Sequence, residues 1–127
     1  HNGTDLLPLA DQAELALAAD IEPYLSVEQI TFLGRGWTNG LANEAALKTR
    51  EAAQFWAEAY PAMDYRHGPM SIAQKGRATW AFGKIDKKLE EEIIATGALY
   101  ESSDWDPMVH LIKQTQSMPL RDVGLHD

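Results

Sequence analysis

The chain alternates short apolar runs with longer stretches of helical periodicity, and that alternation predicts its elements. LADQAELALAADI, from Leu9 to Ile21, is rich in Ala and Leu with acids between them, which predicts a helix on the outside of a sheet. Pro23 interrupts it, and Ser26 with Gln29 predicts a capped turn before the apolar run Ile30 to Leu33. That run is partly β-branched and ends on Gly34, as a buried strand does. A helix is expected from Asn39 to Trp56, a second strand from Trp56 to Tyr60, and a loop from Pro61 that carries Asp64, Tyr65, Arg66, His67, Gly68 and Pro69. The second half repeats the scheme. Thr79 to Phe82 reads as a strand, Asp86 to Ala95 as a helix capped by Asp86 and ended by Gly97, and Ala98 to Tyr100 as a short strand. Asp106 then caps, and Pro107 starts, a helix reaching about Gln116, and the tail from Met118 to Asp127 has no clear period. Strands alternating with helices at these lengths imply right-handed βαβ units and a parallel sheet covered on both faces, an α/β three-layer αβα sandwich. We expect one domain over residues 1–127, with an N-terminal helix and linker over 1–29, an α/β core over 30–116 and an irregular tail over 117–127.

Composition narrows the function. At 127 residues and 45% hydrophobic, the chain buries one ordinary core. Its net charge of -8 repels a phosphate backbone, so nucleic acid is not an expected partner. With no cysteine there is no disulfide, thiolate nucleophile or cysteine metal site, and an intracellular home is allowed. No apolar run is long enough to cross a bilayer, so no membrane association is expected. The chain starts at His1 without an initiator Met or a basic-then-apolar leader, which suggests that it is processed, tagged or cut from something longer.

The candidate chemistry lies between Phe32 and Met70. Gly34, Gly36 and Gly40 form G-x-G-x-x-x-G between strand and helix, with Arg35 among them. This suits either an anion held by backbone N–H groups or a tight strand-to-helix turn without a ligand. It fits neither a dinucleotide fingerprint nor a P-loop. On a wheel of roughly 100° per residue, Lys48 lies near +40° and Glu51 near -20° from Glu44, so the three charges form one stripe. Leu41, Ala45, Leu47, Ala52 and Phe55 fall on the same side, so the stripe is expected amid the buried face, where charges are costly unless paired or used. Glu44 with Lys48 is also an ordinary i,i+4 surface pair, while Glu51 near a Lys is a candidate general base. His67 precedes a Gly-Pro turn, and a lone histidine is as readily structural as functional. His1, His110 and His126 have no ligand spacing with it, so no metal site is expected. Lys87 with Glu91 and Lys88 with Glu92 read as surface pairs on a solvated face.

FLGRG, then EAALKTREAA, then AEAYPAMDYRHGP, in that order, resemble the second subdomain of tandem sugar isomerase (SIS) proteins, such as the isomerase part of glucosamine-6-phosphate synthase and the tagatose-6-phosphate ketose/aldose isomerases. The likeness covers about Ile30 to Pro69 and continues more loosely to Met108. It implies an SIS-like, flavodoxin-like fold and aldose-ketose isomerisation of a sugar phosphate through an enediol, in a cytoplasmic homodimer or higher homo-oligomer with no cofactor. By position, Glu51 matches the base that moves the proton between C1 and C2, and Lys48 the lysine beside the sugar oxygens. His67 matches the histidine that assists ring opening and reaches into a neighbouring subunit's site. Glu44 matches a site carboxylate that would orient Lys48, and Gly34, Arg35 and Gly36 would line the substrate. Arg50 points the other way and is assigned no chemistry. The alternative is a non-catalytic module that binds or senses a sugar phosphate. Two features of the family have no counterpart. A Ser/Thr-rich turn for the phosphate is not seen, since Ser26, Ser71, Ser102, Ser103 and Ser117 lack that setting, and neither is the last helix with its closing tail. Both gaps suggest half of a longer isomerase.

Overall fold

Small residues decide how the layers meet. The computed structural model describes residues 8–18 and 20–118. Four strands, β1 (Gln29–Gly34), β2 (Ala57–Pro61), β3 (Arg77–Ala81) and β4 (Leu99–Glu101), form one sheet in the order β2-β1-β3-β4 with every pair parallel. The chain steps from β1 to β2 in one direction and then crosses back to β3, so the strand order reverses between β1 and β3. Ligands in open α/β sheets bind beside such a reversal, outside the carboxyl ends of the strands.

Two faces follow from strand alternation. Ile30, Phe32, Ala78, Trp80 and Phe82 point to one side and meet helix α2 (Thr38–Ala53) through Ala42, Ala45, Ala46 and Ala53, with Leu111 of α5 (Pro107–Gln116) beside them. Leu33 and Ala81 point to the other and meet Ala62 and Tyr65 of the short α3 (Ala62–Tyr65) and Leu89 and Ile93 of α4 (Lys87–Ala95). Helices thus cover both faces, and the three-layer αβα arrangement expected from the sequence is present. The first helix, α1 (Leu9–Leu17), packs on α5 rather than on the sheet. Its Gln12 side-chain oxygen accepts from the Asp106 N–H at 2.8 Å, and Leu9, Leu15 and Leu17 remain exposed.

Most predicted elements lie within two or three residues of the observed ones, and Asp86 and Asp106 cap as expected, accepting from the N–H groups of Leu89 and Met108. Three expectations need correction. The predicted loop after Pro61 contains α3 and a 3-10 turn, Pro69–Ile72. Ser26 and Gln29 do not cap a turn: Gln29 is the buried first residue of β1, and its amide donates to Thr31 Oγ1 at 2.7 Å. The helix expected to end at Ile21 ends at Leu17. The part of the predicted tail beyond Met118 lies outside the described residues.

Gly34 is where the first layer closes. A Cβ there would lie 2.4 Å from the Thr38 carbonyl oxygen and 2.5 Å from the Asn39 Cα, both backbone atoms that cannot swing away. Gly34→Ala is therefore expected to cost about 1–3 kcal/mol through overpacking. Gly40→Ala, in the same helix with open space around it, is expected to gain about 0.5–1 kcal/mol through helix propensity and unfolded-chain entropy. Urea unfolding of the two variants checks the opposite signs.

Candidate functional site

The turn after β1 holds itself together. Arg35 N–H donates to Thr38 Oγ1 at 2.8 Å, the same hydroxyl donates to the Arg35 carbonyl at 2.9 Å, and Gly36 takes a positive φ of 59°. Gly34 and Gly36 thus have packing and conformational reasons of their own, while the Arg35 side chain stands exposed at the carboxyl edge of the sheet.

Helix α2 turns its charged stripe outward, contrary to the wheel. Thr38, Ala42, Ala45, Ala46, Thr49 and Ala53 are buried; Glu44, Leu47, Lys48, Glu51 and Ala52 are exposed. The buried residues centre about 150° from Glu44, nearly opposite the stripe. Weighting Leu41, Leu47 and Phe55 by size pointed to the wrong side. Phe55 lies beyond the helix, after a left-handed Gln54, and is buried on its own account. Ala and Thr let the helix axis approach the aromatic row of the sheet, where a leucine face would hold it away. Glu44, Lys48 and Glu51 take part in none of the ion pairs among the described residues, so the expected Glu44–Lys48 pair is not formed. Arg50, on the flank, donates from Nη1 to the Ala57 carbonyl at 2.9 Å and ties the helix to β2, which accounts for it structurally.

His67 is also exposed, but elsewhere. Its N–H closes a turn on the Asp64 carbonyl at 3.2 Å, Gly68 follows at φ 140°, and the neighbouring Arg66 anchors the segment to the α4 side through Glu92 at 2.7 Å and Asp86 at 3.5 Å. Glu92 is thus held by Arg66 and not by Lys88, and neither Lys87 nor Lys88 forms an ion pair among the described residues. His67 belongs to the α3 and α4 layer at the carboxyl edge. Glu51, in the last turn of α2, belongs to the outer surface of the opposite layer, about 20 Å along the helix from Thr38. One chain therefore does not bring His67 beside Glu51; the structure joins Glu44, Lys48 and Glu51 with one another only.

Sequence reasoning missed a buried polar cluster at the end of β4. Glu101 accepts from Tyr24 OH, from His110 Nε2 at 2.8 Å and from Lys113 Nζ at 3.1 Å. His110 is 1% exposed and stacks on Trp80 at 4.8 Å between ring centroids. The i,i+3 spacing of His110 and Lys113 on α5 was the available signal, but nothing local linked it to Glu101. Burial raises the Glu101 carboxyl, yet hydrogen bonds from His110, Tyr24 and Lys113 outweigh that and hold it below the ordinary glutamate range. Burial and the Glu101 bond push the Tyr24 phenol up, and at the sheet's β2 edge the Glu58 hydrogen bond pushes Tyr60 up to about 12. Among the described residues no cluster of three or more His, Asp or Glu is placed to hold a metal, and no helix is long and apolar enough to cross a membrane.

Comparison with known proteins fits this architecture. No family model matches the chain. It is 35% identical over 114 residues, 81% of its length, to glutamine–fructose-6-phosphate aminotransferase [isomerizing] of Bordetella pertussis, and spans 19% of that relative. Among solved structures it resembles the C-terminal domain of glucosamine-fructose-6-phosphate aminotransferase from Francisella tularensis, with 25% identity, a TM-score of 0.62, and coverage of 87% of this chain and 40% of that one. It shares the fold of tagatose-6-phosphate ketose/aldose isomerase from Escherichia coli at 16% identity and a TM-score of 0.63, over 94% of this chain and 44% of that one.

Because the stripe is external, Glu44→Gln, Lys48→Gln and Glu51→Gln should each change unfolding free energy by no more than about 0.5 kcal/mol, while Ala46→Leu on the buried face should cost about 1–3 kcal/mol. Thermal or urea unfolding reads both. For Glu101, a folded pKa below the unfolded one means that its stabilisation is complete above the ordinary value of about 4.3 and is lost as pH falls through the lower folded value. Glu101→Gln is expected to lose about 3–5 kcal/mol at neutral pH, by stranding Lys113 and His110, and to flatten the acid limb of stability measured by urea unfolding across pH.

Proposed function

For a chain related over most of its length to glutamine–fructose-6-phosphate aminotransferases and folded like the sugar isomerase (SIS) domains, we propose the role of a phosphosugar isomerase subdomain. The supporting observation is the exposed, unpaired Glu44, Lys48 and Glu51 stripe along the outer surface of α2, with Leu47 and Ala52 beside it. A helix that buries its alanines and presents two carboxylates and an ammonium with a leucine suits a surface completed by a second subdomain or subunit.

In this reading Glu51 removes a proton from C1 of the open-chain ketose phosphate and returns it to C2, while a hydroxyl proton passes from O1 to O2. The intermediate is the enediol and no electrons leave the substrate. Lys48 stabilises the negative charge that develops on the two oxygens, and Glu44, unpaired with it in the free chain, turns to orient it when substrate binds. Gly34, Arg35 and Gly36 lie at the other end of α2, about 20 Å from Glu51, and take no part in the same copy's site. His67 opens the sugar ring, and because its own chain holds it in the opposite layer, it serves a site on another copy. A homo-oligomer follows from that division, and the protein would work in the cytoplasm. The separation of His67 from the stripe also favours the second reading, a module that binds a sugar phosphate without turning it over.

Solvent deuterium exchange distinguishes the two. Wild-type protein incubated with fructose 6-phosphate in D2O should incorporate deuterium at C1, and Glu51→Gln should reduce the rate about 10²–10⁴-fold with binding retained. Binding without exchange in the wild type contradicts the isomerase reading and supports the binding module.

A further inference from the structure

Ser102 and Ser103 acquire in the fold a setting that they lack in the sequence. At the carboxyl edge of the sheet, a cleft of about 320 Å³ opens between the segment after β3 and the segment after β4. The first segment and the start of α4 contribute Lys84 and Lys87, and the second contributes Ser102 and Ser103. Glu90 and Asp104 complete the polar wall. The volume is at the lower end of the range for small-molecule sites, and the position is one strand beyond the reversal of strand order.

The two lysines of this cleft are unpaired and Ser102 bonds to the Tyr100 hydroxyl, whereas most of the acids around it are engaged. Lys84 and Lys87 belong to no ion pair among the described residues. Asp86 caps α4 and meets Arg66, Glu92 meets Arg66, and Glu90 accepts from Tyr100 OH at 2.7 Å. Ser103 Oγ accepts from the Trp105 N–H at 3.0 Å, which leaves its own proton to donate. Two ammonium groups with the Ser103 hydroxyl, joined by the Ser102 hydroxyl once it turns from Tyr100, match the several acceptor oxygens of a phosphoryl group, and Lys is suited to it as a mobile point charge. The carboxylates of Glu90 and Asp104 are acceptors for the hydroxyls of a polyol.

We propose that this cleft binds a phosphomonoester of a small polyol, with Lys84, Lys87, Ser102 and Ser103 on the phosphoryl oxygens and Glu90 and Asp104 on the hydroxyl groups. It is a second site, beyond the isomerase reading and independent of it. The cleft is at the carboxyl edge, while Glu51 is in the last turn of α2, near the amino edge.

Backbone amide shifts of the ¹⁵N-labelled protein, titrated separately with fructose 6-phosphate, inorganic phosphate and fructose, test the site. The expected result is saturable shifts at residues 83–87 and 102–104 with both phosphates, none there with fructose, and at least tenfold weaker binding in the Lys84→Gln, Lys87→Gln double variant, whose exposed positions leave the fold intact. Glu51→Gln should keep these shifts, so failure of the isomerase reading and failure of this one are separable. Unchanged affinity in the double variant, equal shifts with fructose alone, or phosphate shifts confined to other residues would overturn the proposal.

Discussion

Close contact between α2 and the sheet is the constraint on which the rest depends. Gly34 lets the first turn of the helix pass over the end of β1, and Ala42, Ala45, Ala46 and Ala53 bring its axis down onto Phe32, Trp80 and Phe82. Once that side is committed to the core, the opposite side is committed to solvent or to another surface. Glu44, Lys48 and Glu51 are external for this reason, and not because they are charged. The residue sizes on one face of the helix thus decide where the chemistry on the other face can be used.

The second layer sets a complementary condition. Arg66 ties the segment before His67 to Asp86 and Glu92, and Tyr65 OH meets Thr79 Oγ1 at 3.1 Å beneath the same layer. His67 is held on that side of the sheet, away from the α2 stripe. The proposed chemistry then needs two copies or two subdomains to meet, and the exposed Leu47 and Ala52 provide apolar surface for such a contact. In the same layer Arg66 holds Asp86 and Glu92, while Lys84 and Lys87 belong to no ion pair among the described residues.

Strand and helix positions were largely legible because the signals are local: Gly34 ends β1, Asp86 and Asp106 cap, and Pro107 starts α5. The stripe itself was legible from spacing, but its outward direction was not. A wheel weights faces by hydrophobicity, whereas this helix packs by smallness, with Leu47 left outside. Long-range pairings were equally out of reach, because the Glu101 cluster joins Tyr24, β4 and α5, and the Lys84 and Ser102 cleft joins two loops that only the sheet brings together. The family resemblance of the motifs did carry over to the fold, since relatives and solved neighbours agree with it.

In the proposed isomerase, the stripe on α2 works against a second surface that supplies His67. A crystal structure of the assembled protein with a bound ketose phosphate tests it most directly. Glu51 is expected within hydrogen-bonding reach of the C1–C2 end of the sugar, Lys48 on its oxygens, and His67 of another copy closing the same pocket. A bound sugar phosphate with Glu44, Lys48 and Glu51 still facing solvent, or with Glu51 and His67 of one chain in a single site, would contradict it.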